Sequence, residues 1–345
     1  MSESHKIPLI VLTGFLGTGK TTLLNRWLRH AALVQSAVLI NEFGEVGLDH
    51  QIVEPLDGAP VLLANGCVCC SIRDDLKAAI LNLDARRLAG TVPPYRRILL
   101  ETTGAADPAP ILATLLNDVE LRHHYRLALV ATTVDAVNGL ATLSRHAEAR
   151  RQVAMADVLL LTKRDLVEPG AASAVGAALV GLNPHALLAH AEDGPGCLLS
   201  AAEEAGSSGA PTRSPLEDPD GHSDHGTFAA AGEHAHFQTF TLRPGRALDW
   251  TAFGTWLTLL LHTHGARILR IKGLLDVAGS DTPVVVNGVQ HLVHPPYHLD
   301  EWPDGERGSR LVFITTGIGR EEVEASLAAF NALGLALKPA ADSSP

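Results

Sequence analysis

Residues 13–22 read TGFLGTGKTT, and this stretch decides how the rest of the chain is understood. Gly14 to Thr21 fits the spacing G-x-x-x-x-G-K-[ST]. An apolar run, Ile7 to Leu12, precedes it, and a helical pattern from Thr22 to His30 follows. Strand, glycine-rich loop and helix in that order are the context the spacing requires. The glycines allow backbone N–H groups to curl around phosphate oxygens at a helix N-terminus. Gly14, Gly17, Thr18, Gly19, Lys20, Thr21 and Thr22 are therefore expected to cradle a nucleotide's phosphates. Lys20 would reach the outer phosphates, and the Thr21 hydroxyl would ligate Mg2+.

Working outward, further apolar runs alternate with helical patterns. Ser36–Asn41, Val61–Ala64, Arg97–Leu100, Leu127–Thr132 and Val158–Leu161 read as strands. Helical patterns fall at 108–116 and 139–155, and Ser71-Ile-Arg-Asp opens another with a capping-box-like start. Such alternation predicts an α/β fold with a mostly parallel sheet and helices on both faces. Ligands in such sheets sit at the carboxyl ends of the strands, where all the motifs fall.

The bulk composition sets limits. A chain of 345 residues suits two domains. A formal charge of −11 argues against nucleic acid as a partner, because phosphate backbones need clustered Lys and Arg. No apolar run reaches the ~20 residues of a membrane span. The apolar N-terminal run leads directly into the Lys20 motif, so it reads as a first strand rather than a signal peptide. Three crowded cysteines and a distant Cys197 do not make a disulfide framework; they suit the reducing cytoplasm.

Two more motifs complete a nucleotide site. Glu101 ends an apolar strand in ETTG, where an acid can hold Mg2+ and the Gly104 amide can sense a terminal phosphate. Lys20 and Glu101 are thus the candidate catalytic residues. In LLLTKRDL, Lys163 and Asp165 have the spacing of N-K-x-D. The Asp165 carboxylate can accept from guanine's ring N–H and exocyclic amine, and the Lys163 stem can pack on the base. Thr162 stands where that motif has Asn.

Gly66-Cys-Val-Cys-Cys70 lies between these motifs, at a strand end and just before a helix. A helix N-terminus favours the thiolate, the form that binds Zn2+ and similar ions. Cys67, Cys69 and Cys70 could wrap one ion if the backbone turned sharply at Gly66. Equally, two thiolates could be joined by outside ligands, with Glu42 and Glu45 of NEFGEVG as candidates. Buried inert thiols are the other reading of the same residues.

TGFLGTGKTT, NEFGEVG, GCVCC, ETTGAADPAP and TKRD follow the order and approximate spacing of the CobW-type GTPases, relatives of the urease and hydrogenase maturation GTPases. ILRIKGLLDV, GVQHLVHPP and SRLVFITTGI also resemble that family's second domain. The resemblance spans about residues 7–330. It implies a P-loop NTPase domain with a smaller C-terminal α+β domain, and GTP hydrolysis coupled to delivery of a metal, commonly zinc and in some members cobalt. Carried over, Lys20 and Thr21 serve phosphate and Mg2+, Glu101 serves Mg2+, Lys163 and Asp165 serve guanine, and the three cysteines match the metal motif. Thr162 matches a variant also seen in the family. A client metalloprotein would receive the cargo. The competing reading is a P-loop phosphotransferase on a small molecule, with a structural zinc. No catalytic base or arginine finger is evident, so hydrolysis is expected to be slow without a partner or metal.

The expected organisation is a GTPase domain over 1–192, a flexible acidic linker over 193–235, a C-terminal domain over 236–335 and a disordered tail over 336–345. The linker expectation rests on Gly, Ser, Pro and acids. His222, His225, His234 and His236 near its end can catch metal weakly or simply be polar spacers. In the C-terminal part, His262, His264, His291, His294 and His298 read as packing or surface residues. Arg267, Arg270 and Lys272 read as a solvated strand face.

Overall fold

Seven apolar runs in the first part of the chain pair into one parallel sheet. The computed structural model describes residues 6–41, 62–64, 72–207, 237–303 and 305–336. These divide into two compact units, Met1–Val180 with Pro184–Thr212, and Gly181–Asn183 with Arg213–Pro345.

In the first unit, β1 (Ile7–Gly14) leads to α1 (Lys20–Trp27), β2 (Ser36–Asn41) and β3 (Leu62–Ala64). Then come α2 (Ile72–Leu88), β4 (Arg97–Thr102), α3 (Ala109–Asn117) and α4 (Val119–His124). After β5 (Tyr125–Asp135) follow α5 (Gly139–Arg145), α6 (Ala147–Met155) and β6 (Val158–Thr162). The unit closes with α7 (Pro169–Leu182), β7 (Leu187–His190) and α8 (Gly196–Ser207). The strand order is β3-β2-β4-β1-β5-β6-β7, with every pair parallel.

Strands buried on both faces need continuous apolar runs rather than alternation. Val11, Ile98, Leu100, Ala131 and Leu160 accordingly have no exposed surface. Truncating one such Leu or Ile to Ala costs about 2–5 kcal/mol. The chain leaves β1 toward one edge of the sheet and later returns past it to the other. The crevice at the carboxyl end of β1 is therefore the topological switch point.

Two of the sequence expectations do not hold in this unit. The single helical pattern over 139–155 is two helices, broken at His146, whose backbone is extended (φ −117°, ψ 115°). Buried Arg150 reaches back and donates to the Leu143 carbonyl at 2.5 Å and the Ser144 carbonyl at 3.1 Å, capping α5. Burial lowers its guanidinium from its usual value. The linker, expected from residue 193, does not begin there. α8 is a regular helix, and its Leu198, Ala201 and Ala202 are buried in the core beside Trp27 and Leu129. The glycine and glutamate content of this stretch hid an apolar stripe at helical spacing.

The second unit contains β8 (Phe237–Leu242), α9 (Trp250–His264), β9 (Ile268–Leu275) and β10 (Val284–Val289). It continues through β11 (Leu292–Val293), β12 (Tyr297–His298), β13 (Arg310–Thr316) and α10 (Arg320–Ala336). Its sheet runs β11-β10-β9-β13-β8, with β12 also against β10, and every pair is antiparallel. Phe240, Phe253, Trp256 and Phe313 centre the core, and the Trp256 indole donates to Ser326 Oγ at 2.9 Å, tying α9 to α10. Arg270 and Lys272 are buried here, not solvated, because both faces of β9 are covered: every residue from Ile268 to Leu275 is buried. His291 Nδ1 hydrogen-bonds with the Leu261 carbonyl oxygen, and His298 Nδ1 with Thr282 Oγ1. Both serve local packing.

Candidate nucleotide site

β1 ends at Gly14, where the chain must turn away from its neighbour at very short range. Gly14 pairs with Thr133 of β5, and a Cβ on it would stand 2.2 Å from Thr133 Oγ1. No larger side chain fits without moving the strand. Gly17 and Gly19 both take positive φ, which delivers Lys20 as the first residue of α1.

Buried hydroxyls hold the loop. Thr18 Oγ1 donates to the Phe15 carbonyl at 2.8 Å and shares a 2.7 Å hydrogen bond with Thr133 Oγ1. Thr133 Oγ1 also donates to the Thr13 carbonyl at 3.3 Å, and Thr102 Oγ1 to Thr13 Oγ1 at 2.8 Å. Three adjacent strands thus contribute to one polar network beneath the loop. Lys20 is buried, and its Nζ donates to the Gly14 carbonyl at 2.8 Å and the Phe15 carbonyl at 3.2 Å. Its charge is therefore fixed inside the curl where phosphate oxygens would lie. The Phe15 ring stacks on His146, with centroids 4.4 Å apart.

Thr21 and Thr22 are exposed in the first turn of α1. The Thr21 hydroxyl donates to Glu101 Oε1 at 2.5 Å, joining two residues that are 80 positions apart. Glu101 ends up there because it pairs with Leu12 across β4 and β1. A hydroxyl and a carboxylate side by side are hard oxygen donors, the kind Mg2+ takes. Gly104 follows on the next loop and abuts the P-loop backbone at Leu16.

The motif expected to read the base lies at the end of β6. Lys163 adopts a left-handed conformation (φ 57°) before a short 3-10 turn, Arg164–Leu166. Its Nζ donates to the Gly17 carbonyl at 2.6 Å and to Asp135 Oδ2 at 3.2 Å. Asp165 is exposed on that turn. Thr162 Oγ1 donates to the Thr18 carbonyl at 2.8 Å, tying the base loop to the phosphate loop. A hydroxyl at this position therefore holds the two loops together without an amide.

The structure brings together Gly14, Gly17, Thr18, Gly19, Lys20, Thr21 and Glu101, with Gly104 and Lys163 bordering them. Glu42, Glu45, Cys67, Cys69 and Cys70 lie outside the described residues, as do the linker histidines. Among the described residues no group of three His, Cys, Asp or Glu is placed to hold a metal ion. Sequence reading missed Asp135 and Thr133. Asp135 carried the same signal as Glu101, an acid ending an apolar strand.

Comparison with known proteins agrees with this fold. Residues 8–189 match the "CobW/HypB/UreG, nucleotide-binding domain" family, and residues 237–331 match the "Cobalamin synthesis protein cobW C-terminal domain". The zinc chaperone YjiA of Escherichia coli K12 is 30% identical, over 94% of this chain and 98% of its own. The zinc chaperone CobW of Pseudomonas aeruginosa is 32% identical, over 95% of this chain and 91% of its own. The crystal structure of Zn(II)-bound YjiA GTPase from E. coli superposes with a TM-score of 0.72 at 27% identity, covering 94% of this chain and 99% of that one. The chain belongs to the CobW family, whose nucleotide-binding domain and C-terminal domain it carries in that order.

Proposed function

We propose that this protein is a GTP-driven metallochaperone, which binds zinc at Cys67, Cys69 and Cys70 and yields it to a client protein when its nucleotide state changes. The protein is a GTPase, and the metal is its cargo. The zinc assignment is supported by the names of its relatives, zinc chaperones in E. coli and P. aeruginosa. It is also supported by the donor chemistry of a C-x-C-C run, since thiolates favour zinc and leave cobalt as a related possibility.

The observation that carries the reading is the 2.5 Å contact of Thr21 with Glu101 at the carboxyl end of β4. β3, which the cysteine segment follows, runs parallel to β2, and β2 runs parallel to β4. The carboxyl end of β3, after which the cysteines follow in sequence, therefore lies on the same side of the sheet as the phosphate cradle. Lys20 would bind the outer phosphates. Thr21 and Glu101 would hold Mg2+, which supplies neutralisation of charge building on the phosphate oxygens. Asp165 would read guanine's two donors while Lys163 lines the base. NEFGEVG, including Glu42 and Glu45, would follow the terminal phosphate and change the ligands offered to zinc. Coupling of this kind requires zinc affinity to differ between the GTP and GDP states.

The test is a single turnover of reduced, zinc-loaded protein in the presence of a chromophoric chelator. With GTP, zinc should reach the chelator at the rate of hydrolysis; with a non-hydrolysable analogue it should stay bound. Equal capture rates in the two cases would refute gated delivery.

A further inference from the structure

Gln152, in the middle of α6, is an amide with 0% of its surface exposed. Its Nε2 group donates to two carbonyls of one loop, Gly104 at 3.2 Å and Ala106 at 3.0 Å. Its Oε1 is buried and accepts no hydrogen bond among the described residues. Turning the amide over would aim Oε1 at two carbonyl oxygens, so the network fixes its orientation. A buried acceptor without a donor is unfavourable. What this side chain contributes therefore lies in the two bonds it donates. The Gln152 backbone carbonyl accepts the Thr132 hydroxyl at 2.9 Å, anchoring α6 to β5. The gripped loop follows Glu101. Its Gly104 lies so close to the P-loop that a Cβ there would stand 2.8 Å from the Leu16 backbone nitrogen. Gly104 is thus held from two sides, by an immobile amide and by the phosphate loop.

We propose that Gln152 is a positioning residue for GTP hydrolysis, preorganising the loop 103–107 so that Gly104 is ready to meet the terminal phosphate. This rests on the reading of Gly104 as the sensor of that phosphate. GDP lacks the phosphate, so preorganisation affects GTP alone. A loop already in the competent arrangement is not ordered at the expense of binding; without the clamp, affinity falls by the competent fraction.

Gln152→Met keeps the volume while removing both donors and the unpartnered acceptor. In the full-length protein, affinities for GDP and a non-hydrolysable GTP analogue are measured, with amide hydrogen exchange of residues 103–107 in each state. The variant should bind GDP within about twofold of the parent and the analogue about tenfold more weakly. Equal shifts for both ligands, or no shift, would overturn the proposal. The parent provides a second test that needs no variant: its loop should be protected before nucleotide is added, and full exposure there overturns the clamp. Failure of the Gly104 reading looks different, since the parent's loop would then be equally protected by GDP and by the analogue.

Discussion

At the phosphate end of the site, the loop rests on buried hydroxyls from three strands. Thr13, Thr18, Thr102 and Thr133 bond one another, and Lys20 is folded into the curl above them. At the base end, Asp165 stands exposed on a single 3-10 turn, and Lys163 is bridged between Asp135 and the Gly17 carbonyl. The phosphate cradle is thus a product of core packing, whereas the base selection proposed for Asp165 would depend on a short exposed turn with few anchors. The two functions should be separable by mutation, with unequal effects.

The largest effect belongs to the buried end. Lys20→Ala removes the cation inside the cradle and should weaken GTP and GDP alike by about 100-fold or more, with the fold intact by circular dichroism. A smaller and more selective loss is expected from Asp165→Asn. It replaces an acceptor pair with one acceptor and one donor, and should weaken GTP about 10- to 100-fold. Xanthosine triphosphate, which offers a carbonyl where guanine has its amine, should recover part of the loss. If both nucleotides bind the variant as the parent binds GTP, Asp165 does not read the base.

Smaller again is Thr162→Val, which deletes the bond between the two ends, 2.8 Å to the Thr18 carbonyl. It should cost about 1 kcal/mol, seen as a severalfold loss in GTP affinity. Thr162→Asn should retain most of the parent's affinity if tying the loops is what this position does.

The least effect is expected away from the site. Asp118 caps α4 by accepting from the Glu120 and Leu121 amides, and it pairs with Lys77 of α2 at 2.8 Å. The hydrogen bond from Lys77 holds its carboxyl below the usual range. A depressed carboxylate stabilises the fold above the unfolded pKa and loses that contribution as pH falls through the folded one. Asp118→Ala should therefore cost about 1 kcal/mol at pH 7 and progressively less below pH 4, followed by thermal melting.

The same contrast explains what the sequence disclosed. The P-loop, Glu101 and the parallel strands were legible because a strand buried on both faces must be an unbroken apolar run, so a polar residue ending it stands out. That Lys163 and Asp165 follow a strand was legible in the sequence, while their reading of guanine is a proposal. Gln152 was not legible, because one amide in a helical pattern gives no sign that its partners are carbonyls nearly 50 positions away. α8 was misread because Gly196, Glu203 and Glu204 resemble linker composition, although Leu198, Ala201 and Ala202 supply the buried stripe. Arg270 and Lys272 were misread because alternation suggests a wet face, while in β9 both faces are covered.

The most direct test of gated zinc carriage is an equilibrium titration of the reduced protein with Zn2+ against a competing chromophoric chelator. It is performed with GDP and with a non-hydrolysable GTP analogue, beside a Cys67/Cys69/Cys70→Ala variant. Affinities should differ between the two nucleotides, with the difference lost in the variant. Tight binding indifferent to nucleotide would contradict gated carriage and make the zinc a structural ion.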